Sequence, residues 1–354
     1  MILLKMSTGN FWLKLLSASG GKKPILALAP MAGVSDSAFR QICKEQGADV
    51  VYTEMVSADG LFHEGKKTLE FLKFAKSERP IVIQLFGKYP EKFAKAAKIC
   101  EETGFDGIDI NFGCPAQKVA GHGGGVTLMR DLPKCREIIE ATIRGTKLPV
   151  SVKLRSSIGV IASAVKQSHG IASVASLPRN DSKITALDFI KFMKDLPIAA
   201  VMIHGRPYEK PFDGEIDFKM IKAVKDFYKK TKTVVLANGG IKTPEDAKII
   251  LEKTGADGIG LARGLYGRPY LFSQIKNFLK SGKYKAATQK EIIKIILRHA
   301  ALAEKAKGEH GLIELRKHLL WYVSGWSNAK ELRSKLVRVE KINEIRAIFK
   351  GVDN

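Results

Sequence analysis

Short runs of β-branched and other apolar residues recur eight times within the first 265 residues, and stretches with helical periodicity separate them. The predicted strands are 25–29, 50–53, 81–85, 107–110, 150–153, 200–203, 234–237 and 258–261. The predicted helices are 36–46, 90–103, 133–144, 186–194, 217–228 and 244–253. Eight strands that alternate with helices predict a (β/α)8 TIM barrel, whereas the alternative, an open doubly wound sheet, usually has fewer strands.

Three of the predicted helices carry local start signals. Pro90, Pro133 and Pro244 stand where the first turn of a helix accommodates proline, and Thr243 is a candidate N-cap. The connection 57–73, after the second strand, has the least regular pattern.

Distinctive side chains lie at or just beyond the end of every predicted strand. They are Pro30, Met31, Ala32, Glu54, Gln84, Asn111, Cys114, Lys153, His204, Asn238, Gly239, Gly240, Arg263 and Gly264. Any one of them alone would more commonly have a structural role. In a barrel, however, the strand ends converge on one face, where active sites are formed, so their coincidence predicts an active site there.

The loops after the seventh and eighth strands have the composition of a phosphate site. Asn238-Gly239-Gly240 and Arg263-Gly264 combine glycines, which let backbone N–H groups approach a phosphate, with a guanidinium. The alternative is that these glycines only terminate strands. A second glycine-rich run, 121–125, lies well beyond the fourth strand, and we interpret it as a flexible active-site loop rather than a dinucleotide fingerprint.

The cysteines predict a reducing compartment and no bound metal. Cys43, Cys100, Cys114 and Cys135 form no CxxC pair and no disulfide-dense pattern. Three of them fall in helical patterns as core residues, whereas Cys114 lies in a loop above the barrel, where a thiol is accessible for chemistry. Lys153 and His204 end strands that point toward the same space.

Charge is the unusual feature of the composition. The chain has 59 Lys and Arg against 36 Asp and Glu, a net charge of +23. Such a field attracts a polyanion, which is then bound with release of counterions. The alternative is a lysine-rich proteome in which every protein is basic. No apolar run is long enough to span a membrane, and two lysines interrupt the weakly signal-like first 21 residues, so we expect a cytoplasmic protein.

Taken together, these residues resemble the tRNA-dihydrouridine synthases along nearly the whole chain. The segments that carry the resemblance are APMAGVSDSAFR (29–40), TEMVSADG (53–60), IQLFG (83–87), DGIDINFGCPAQKV (106–119), VSVKLR (150–155), HGRPYEKPFDGEIDF (204–218), LANGGI (236–241), DGIGLARGLYGRPYLF (257–272) and LRKHLLWYVSG (315–325). The chain departs from the family in a long Ser- and Ala-rich insertion, about 156–183, where a shorter link is usual.

The resemblance implies an FMN-binding TIM barrel (23–268) and a small C-terminal all-helical, tRNA-binding domain (269–354). Residues 1–22 form an N-terminal extension beyond the usual start of the family. It implies NADPH as reductant. Because a bound tRNA would occupy much of the surface, we expect a monomer with no obligate protein partner. The residues implied to bind FMN are Pro30, Met31, Ala32, Gln84, Lys153, His204, Asn238, Gly239, Gly240, Arg263 and Gly264.

The resemblance also implies the reaction. Hydride passes from the reduced flavin to C6 of a flipped-out uridine in tRNA, and Cys114 donates the proton to C5. Asn111 and Arg155 are implied to meet the substrate base. From residue 270 onward the chain has 18 Lys and Arg against 8 Asp and Glu, which suits binding to RNA phosphates.

Two other functions remain open at this point. A flavin barrel that reduces a free pyrimidine would share the cofactor and the fold but would not need the basic C-terminal region. An RNA-binding protein with an inactive barrel would use that region but would carry no flavin.

Overall fold

The computed structural model describes residues 10–18, 20, 23–116, 124–159 and 183–350. The strands of the barrel are β1 (Ile25–Leu28), β2 (Val50–Ser57), β3 (Ile81–Phe86), β4 (Gly107–Phe112), β5 (Val150–Arg155), β8 (Ala200–His204), β9 (Val234–Asn238) and β10 (Gly258–Leu261). These eight parallel strands close into a barrel in the order β1-β10-β9-β8-β5-β4-β3-β2. The predicted TIM barrel is confirmed, and each of the eight predicted strands is present.

Helices alternate with these strands and continue beyond them. Within the described residues they are α1 (Phe11–Ala18), α2 (Ser37–Glu45), α3 (Ala58–Phe62), α4 (Lys66–Leu69), α5 (Pro90–Thr103), α6 (Leu132–Arg144), α7 (Ala186–Phe192), α8 (Phe218–Phe227), α9 (Pro244–Thr254), α10 (Leu271–Ser281), α11 (Gln289–Tyr322), α12 (Ala329–Leu336) and α13 (Ile342–Phe349). All six predicted helices are confirmed. The Thr243 hydroxyl accepts a hydrogen bond from the N–H of Asp246, as expected of an N-cap.

The floor of the barrel is closed by a helix that precedes the first strand. Phe11 and Trp12 of α1 are buried against inward-facing residues of the barrel such as Ile25 and Tyr52. A β-carbon added at Gly107, the first residue of β4, would lie 3.1 Å from the Phe11 ring. Because these rings plug the amino-terminal end, only the carboxyl-terminal end of the barrel is available for a site.

The predicted insertion has an ordered base. Strands β6 (Ser157–Gly159) and β7 (Lys183–Thr185) pair antiparallel and form a separate two-stranded sheet. The base is tied to its surroundings, since Arg130 Nε donates to the Gly159 carbonyl at 2.7 Å. Residues 160–182 lie outside the described residues, as do residues 117–123, which include most of the glycine-rich run.

The C-terminal helices belong to two different cores. Leu271, Phe272 and Ile275 of α10 pack into the barrel core, so this helix completes the eighth strand–helix unit. Helices α11 to α13 form a second apolar core, which also includes Ala38 and Ile42 of α2. No helix in the described ranges combines the length and the apolar character that crossing a bilayer requires.

Two buried histidines lie in the seam between α2 and α11. The rings of His299 and His318 meet edge to face at 4.8 Å, and Phe39 of α2 contacts both. His299 Nδ1 lies 3.1 Å from the Tyr322 hydroxyl. Within the described part of the chain, the other three ring nitrogens have no hydrogen-bond partner. Burial therefore lowers the pKa of His299 to about 4 and holds the pKa of His318 well below its usual value.

This seam predicts acid sensitivity. As the pH falls below about 6.5, the unfolded chain takes up protons at both histidines before the folded chain does, so the folded state loses stability. We expect each histidine to lower the free energy of unfolding by about 2 kcal/mol between pH 7.5 and pH 5. A His318→Phe variant retains an aromatic ring that cannot be protonated, and it should lose part of this pH dependence in denaturant titrations. Identical pH dependence in the two proteins would contradict the prediction.

Candidate active site

The strand-end residues named from the sequence lie together on the carboxyl-terminal face of the barrel. The observed strands extend one to four residues beyond most of the predicted ends, so several of these residues are the last ones paired in the sheet. Asn111 is the ladder partner of Lys153, and Arg155 is the partner of His204, which in turn pairs with Asn238. Five predicted site residues thus occupy adjacent positions on strands β4, β5, β8 and β9.

The backbone around Cys114 is held from several sides. The Asn111 side-chain oxygen accepts the N–H groups of Gly113, at 3.0 Å, and Cys114, at 2.8 Å. Arg155 Nε donates to the Gly113 carbonyl at 2.9 Å, and the N–H of Val126 donates to the Cys114 carbonyl at 3.2 Å. These contacts fix the position of the Cys114 residue at the open carboxyl-terminal end of the barrel, which we call the mouth.

Cys114 differs from the other cysteines in exposure. It is half-buried, whereas Cys43, Cys100 and Cys135 are fully buried in helices, as predicted. Burial raises the pKa of the Cys114 thiol, and an N–H group of Ala116 with the nearby Lys153 only partly offsets this. The group is therefore a protonated thiol at neutral pH, accessible from the mouth of the barrel.

The cationic side chains of β5 shape the electrostatics of the mouth. Burial, with the neighbouring Arg155, lowers the pKa of Lys153 to about 8. Burial lowers the pKa of Arg155 to about 10, which leaves the guanidinium charged at neutral pH. Burial and the surrounding cations lower the pKa of His204 to about 2, so its imidazole is neutral. Its Nδ1 lies 3.2 Å from the N–H of Arg206 and accepts that hydrogen bond.

A cationic pocket of about 400 Å³ opens beside His204, between the loops that follow β9 and β10. Four basic side chains line it, and Asp213 is the one carboxylate among the described lining residues. The basic residues are Arg206, Lys242, Arg263 and Arg268. Predicted residues His204, Asn238, Gly239, Gly240, Arg263 and Gly264 all line this pocket.

The glycines of the pocket are required by its geometry. Gly239 and Gly240 have φ of 107° and 75°, a region that favours glycine. A β-carbon at Gly239 would lie 3.1 Å from the His204 ring, and one at Gly264 would lie 2.1 Å from the Ile241 carbonyl oxygen. Side chains at these positions would fill the pocket or displace its walls. Arg263 is held above it, since its Nη2 donates to the Phe212 carbonyl at 3.2 Å and its guanidinium lies 5.1 Å from the Phe212 ring.

Residues 30–32 and Glu54 line a different part of the mouth. Residues 30–32 follow β1, which pairs with β10 and β2 in the barrel. The Met31 N–H donates to the Ser35 hydroxyl at 3.0 Å, which fixes the turn. Glu54 accepts the N–H of Gly33, and burial raises the pKa of its carboxyl group.

Sequence reasoning missed three of the four cations in the pocket. Arg206 and Lys242 lie only two to four residues past their strands, so a longer reading of each strand end would have included them. Arg268 lies seven residues past β10, beyond a short 3₁₀ helix, and its only sequence signal is that it falls within the family segment 257–272. The described residues contain no cluster of three or more His, Cys, Asp or Glu able to hold a metal ion.

Sequence comparison identifies related proteins along most of the chain. The family model described as dihydrouridine synthase matches residues 27–350. A probable tRNA-dihydrouridine synthase of Rickettsia conorii is 35% identical over 311 residues, which is 87% of each chain. The tRNA-dihydrouridine synthase B of Pseudomonas aeruginosa is 33% identical over 317 residues, covering 89% of this chain and 88% of the relative.

Solved structures share the fold at much lower sequence identity. The complex of a 2-naphthoyl-CoA reductase with 2-naphthoyl-CoA gives a TM-score of 0.51 at 10% identity, covering 73% of this chain and 52% of the other. A 6-hydroxypseudooxynicotine amine oxidase from Pseudomonas geniculata gives a TM-score of 0.51 at 13% identity, covering 91% and 65%. At this level the likeness concerns the barrel alone.

Proposed function

The chain belongs to the dihydrouridine synthase family, and from this premise we propose that it reduces the 5,6-double bond of a specific uridine in tRNA. In this proposal Cys114 would donate the proton, and the barrel would hold FMN as the cofactor that NADPH reduces. The observation that carries the proposal is the position of the Cys114 thiol at the mouth of a barrel with an adjoining cationic, glycine-lined pocket.

The pocket residues fit the phosphate of FMN. Arg263, Gly264, Asn238, Gly239 and Gly240 would hold that phosphate. Phosphate binding in TIM barrels commonly uses the loops after the last two strands, where backbone N–H groups and a short helix face the ligand. The short helix Arg263–Leu265 occupies this place here. Arg206, Lys242 and Arg268 add positive charge to the same pocket.

Residues on the other strands would hold the isoalloxazine ring. Pro30, Met31 and Ala32 would pack on it, and Lys153, as a cation, would stabilise negative charge on the pyrimidine portion. Gln84 and the neutral His204 would hydrogen-bond to the ring. When bound and reduced, FMN supplies the hydride that is added to C6 of uracil.

The environment of Cys114 suits a general acid. Addition of hydride at C6 leaves electron density at C5, which must take up a proton. The raised pKa keeps the Cys114 thiol protonated at neutral pH, and the hydrogen bonds to Gly113 and Cys114 hold its backbone in place. Asn111 and Arg155 lie next to this loop and would meet the substrate base.

The basic C-terminal region would bind tRNA through its phosphates. Residues 270–354 carry a net charge of +10, and many of these basic side chains are exposed on α11 to α13. We assign residues 1–22 to an N-terminal extension, 23–268 to the catalytic barrel and 269–354 to the tRNA-binding helical domain, although α1 and α10 both pack on the barrel. We further propose that the chain acts as a monomer.

The two rival functions are separated by one experiment. The purified protein, reconstituted with FMN, is given NADPH and either unmodified tRNA or free uridine, and dihydrouridine is measured by mass spectrometry. We expect kcat/KM for tRNA to exceed that for the free nucleoside by at least about a hundredfold, since binding of the remote tRNA body contributes to the rate. Equal turnover of both substrates would support a reductase of free pyrimidines instead. A colourless protein that takes up no FMN would contradict the assignment as an enzyme.

A further inference from the structure

A hydrogen-bonded series of buried polar side chains runs from the interior of the barrel to the Cys114 loop. Gln84 Nε2 donates to Asp109 Oδ2 at 2.7 Å, and Asn111 Nδ2 donates to Gln84 Oε1 at 2.8 Å. The Asn111 side-chain oxygen then accepts the N–H of Cys114 at 2.8 Å. Below Asp109, the Ser151 hydroxyl donates to Asp109 Oδ1 at 2.7 Å.

The register of the barrel strands places the members of this hydrogen-bonded series next to one another. Asp109 on β4 is the ladder partner of both Gln84 on β3 and Ser151 on β5, so the three side chains form one layer. Asn111 lies two residues further along β4 and therefore points to the same face as Asp109. All four side chains are buried, with exposures of 5% or less, so water does not compete for their hydrogen bonds.

The groups at the two ends of the hydrogen-bonded series allow only one orientation of the side-chain amides of Gln84 and Asn111. Burial raises the pKa of Asp109 to about 6, which leaves an ionised carboxylate at neutral pH, and a carboxylate only accepts hydrogen bonds. The N–H groups of Gly113 and Cys114 only donate. Gln84 must therefore turn its amino group toward Asp109, and Asn111 must turn its oxygen toward Cys114. Reversing either amide would leave buried donors facing donors, which is costly.

On this basis we propose that Asp109 is a positioning residue for the acid Cys114, acting through the oriented side chains of Gln84 and Asn111. The inference rests on the proposed function, because it gives Cys114 its role in proton donation. Asp109 does not touch the thiol. It fixes the polarity of the two amides, and these hold the backbone N–H groups that place the thiol at the mouth.

Two substitutions separate this role from a general contribution to folding. Asp109→Leu removes the acceptor and leaves the Gln84 amino group buried without a partner. Asp109→Asn keeps an oxygen for Gln84 and can donate to the Ser151 hydroxyl, so the orientation of both amides is preserved. Ile250 is a buried residue of α9 and lies outside the hydrogen-bonded series, so Ile250→Ala serves as a destabilised control.

The test uses two readouts, of which the first does not depend on uridine reduction. Iodoacetamide alkylation of the native protein, followed by mass spectrometry, reports on Cys114, since the other three cysteines are buried. We expect Asp109→Leu to change the alkylation rate at least threefold, whereas Asp109→Asn and Ile250→Ala stay within twofold of wild type. In the second readout, kcat for uridine reduction should fall at least tenfold in Asp109→Leu with KM changed less than threefold, and Asp109→Asn should recover most of this loss.

The outcomes distinguish the possible failures. The inference is overturned if Asp109→Leu alters neither readout, or if Asp109→Asn is as impaired as Asp109→Leu in both. If the wild-type protein reduces no uridine, the proposed function fails. The alkylation rates alone then decide whether the hydrogen-bonded series positions Cys114. If Asp109→Leu does not fold, Gln84→Met interrupts the hydrogen-bonded series one link nearer to Cys114. Because Gln84 is also proposed to contact FMN, this variant and the wild type are alkylated at saturating FMN, and an unchanged alkylation rate in the variant overturns the inference.

Discussion

Replacing Cys114 with alanine is expected to lower kcat for uridine reduction by about a thousandfold, while FMN content and tRNA affinity remain near those of the wild type. A positioned general acid contributes about a hundredfold to ten-thousandfold to a rate. The thiol is half-buried at the mouth and is not part of the apolar core, so its removal leaves no large cavity. Single-turnover reduction of tRNA by the flavin-reduced enzyme measures the step directly.

Two further variants make this experiment specific. Cys114→Ser keeps a hydroxyl, which is a much weaker acid than a thiol, so its rate should lie between those of Cys114→Ala and the wild type. Cys100→Ala removes a cysteine that is buried in α5, and it should reduce uridine at close to the wild-type rate. A fully active Cys114→Ala enzyme would mean that another group donates the proton.

The sequence predicted the barrel well because its signals are local. The helix bounded by Pro90 and Gly104 was predicted at its observed ends, since a proline in the first turn and a glycine with φ of 92° at the end mark it. Several strands, such as β2, were predicted too short at their carboxyl-terminal ends. The hydrophobic run stops where the strand reaches the polar mouth, but backbone pairing continues beyond it.

Long-range features were much harder to predict. Nothing in the local pattern indicates that Phe11 and Trp12 close the barrel floor, because the residues they pack against come from distant strands. The role of Asp109 could not be predicted from the sequence for a similar reason. Its significance depends on the register that brings Gln84 and Ser151 to its sides, and register is a property of the closed barrel rather than of any one segment.

The affinity for tRNA is expected to fall by about a thousandfold or more between 50 mM and 200 mM salt, whereas FMN affinity should change little. About six or more phosphate contacts produce such a dependence, because each contact releases counterions from the RNA. FMN carries a single phosphate, and at the proposed site backbone N–H groups and contacts to the isoalloxazine ring would also bind it. Filter binding of tRNA and flavin fluorescence across a salt series measure the two affinities.

A matched pair of triple variants tests whether this dependence comes from the helical region or from net charge alone. Lys294→Gln, Lys305→Gln and Lys330→Gln together remove three exposed charges from α11 and α12, and should lower the slope of log affinity against log salt by about 2 to 3. Lys229→Gln, Lys230→Gln and Lys232→Gln remove the same charge from the loop before β9, at the opposite end of the barrel from the mouth. We expect the slope of this second variant to stay close to that of the wild type. Equal slopes for the two variants would mean that the tRNA responds to the overall charge of +23 rather than to the helical region.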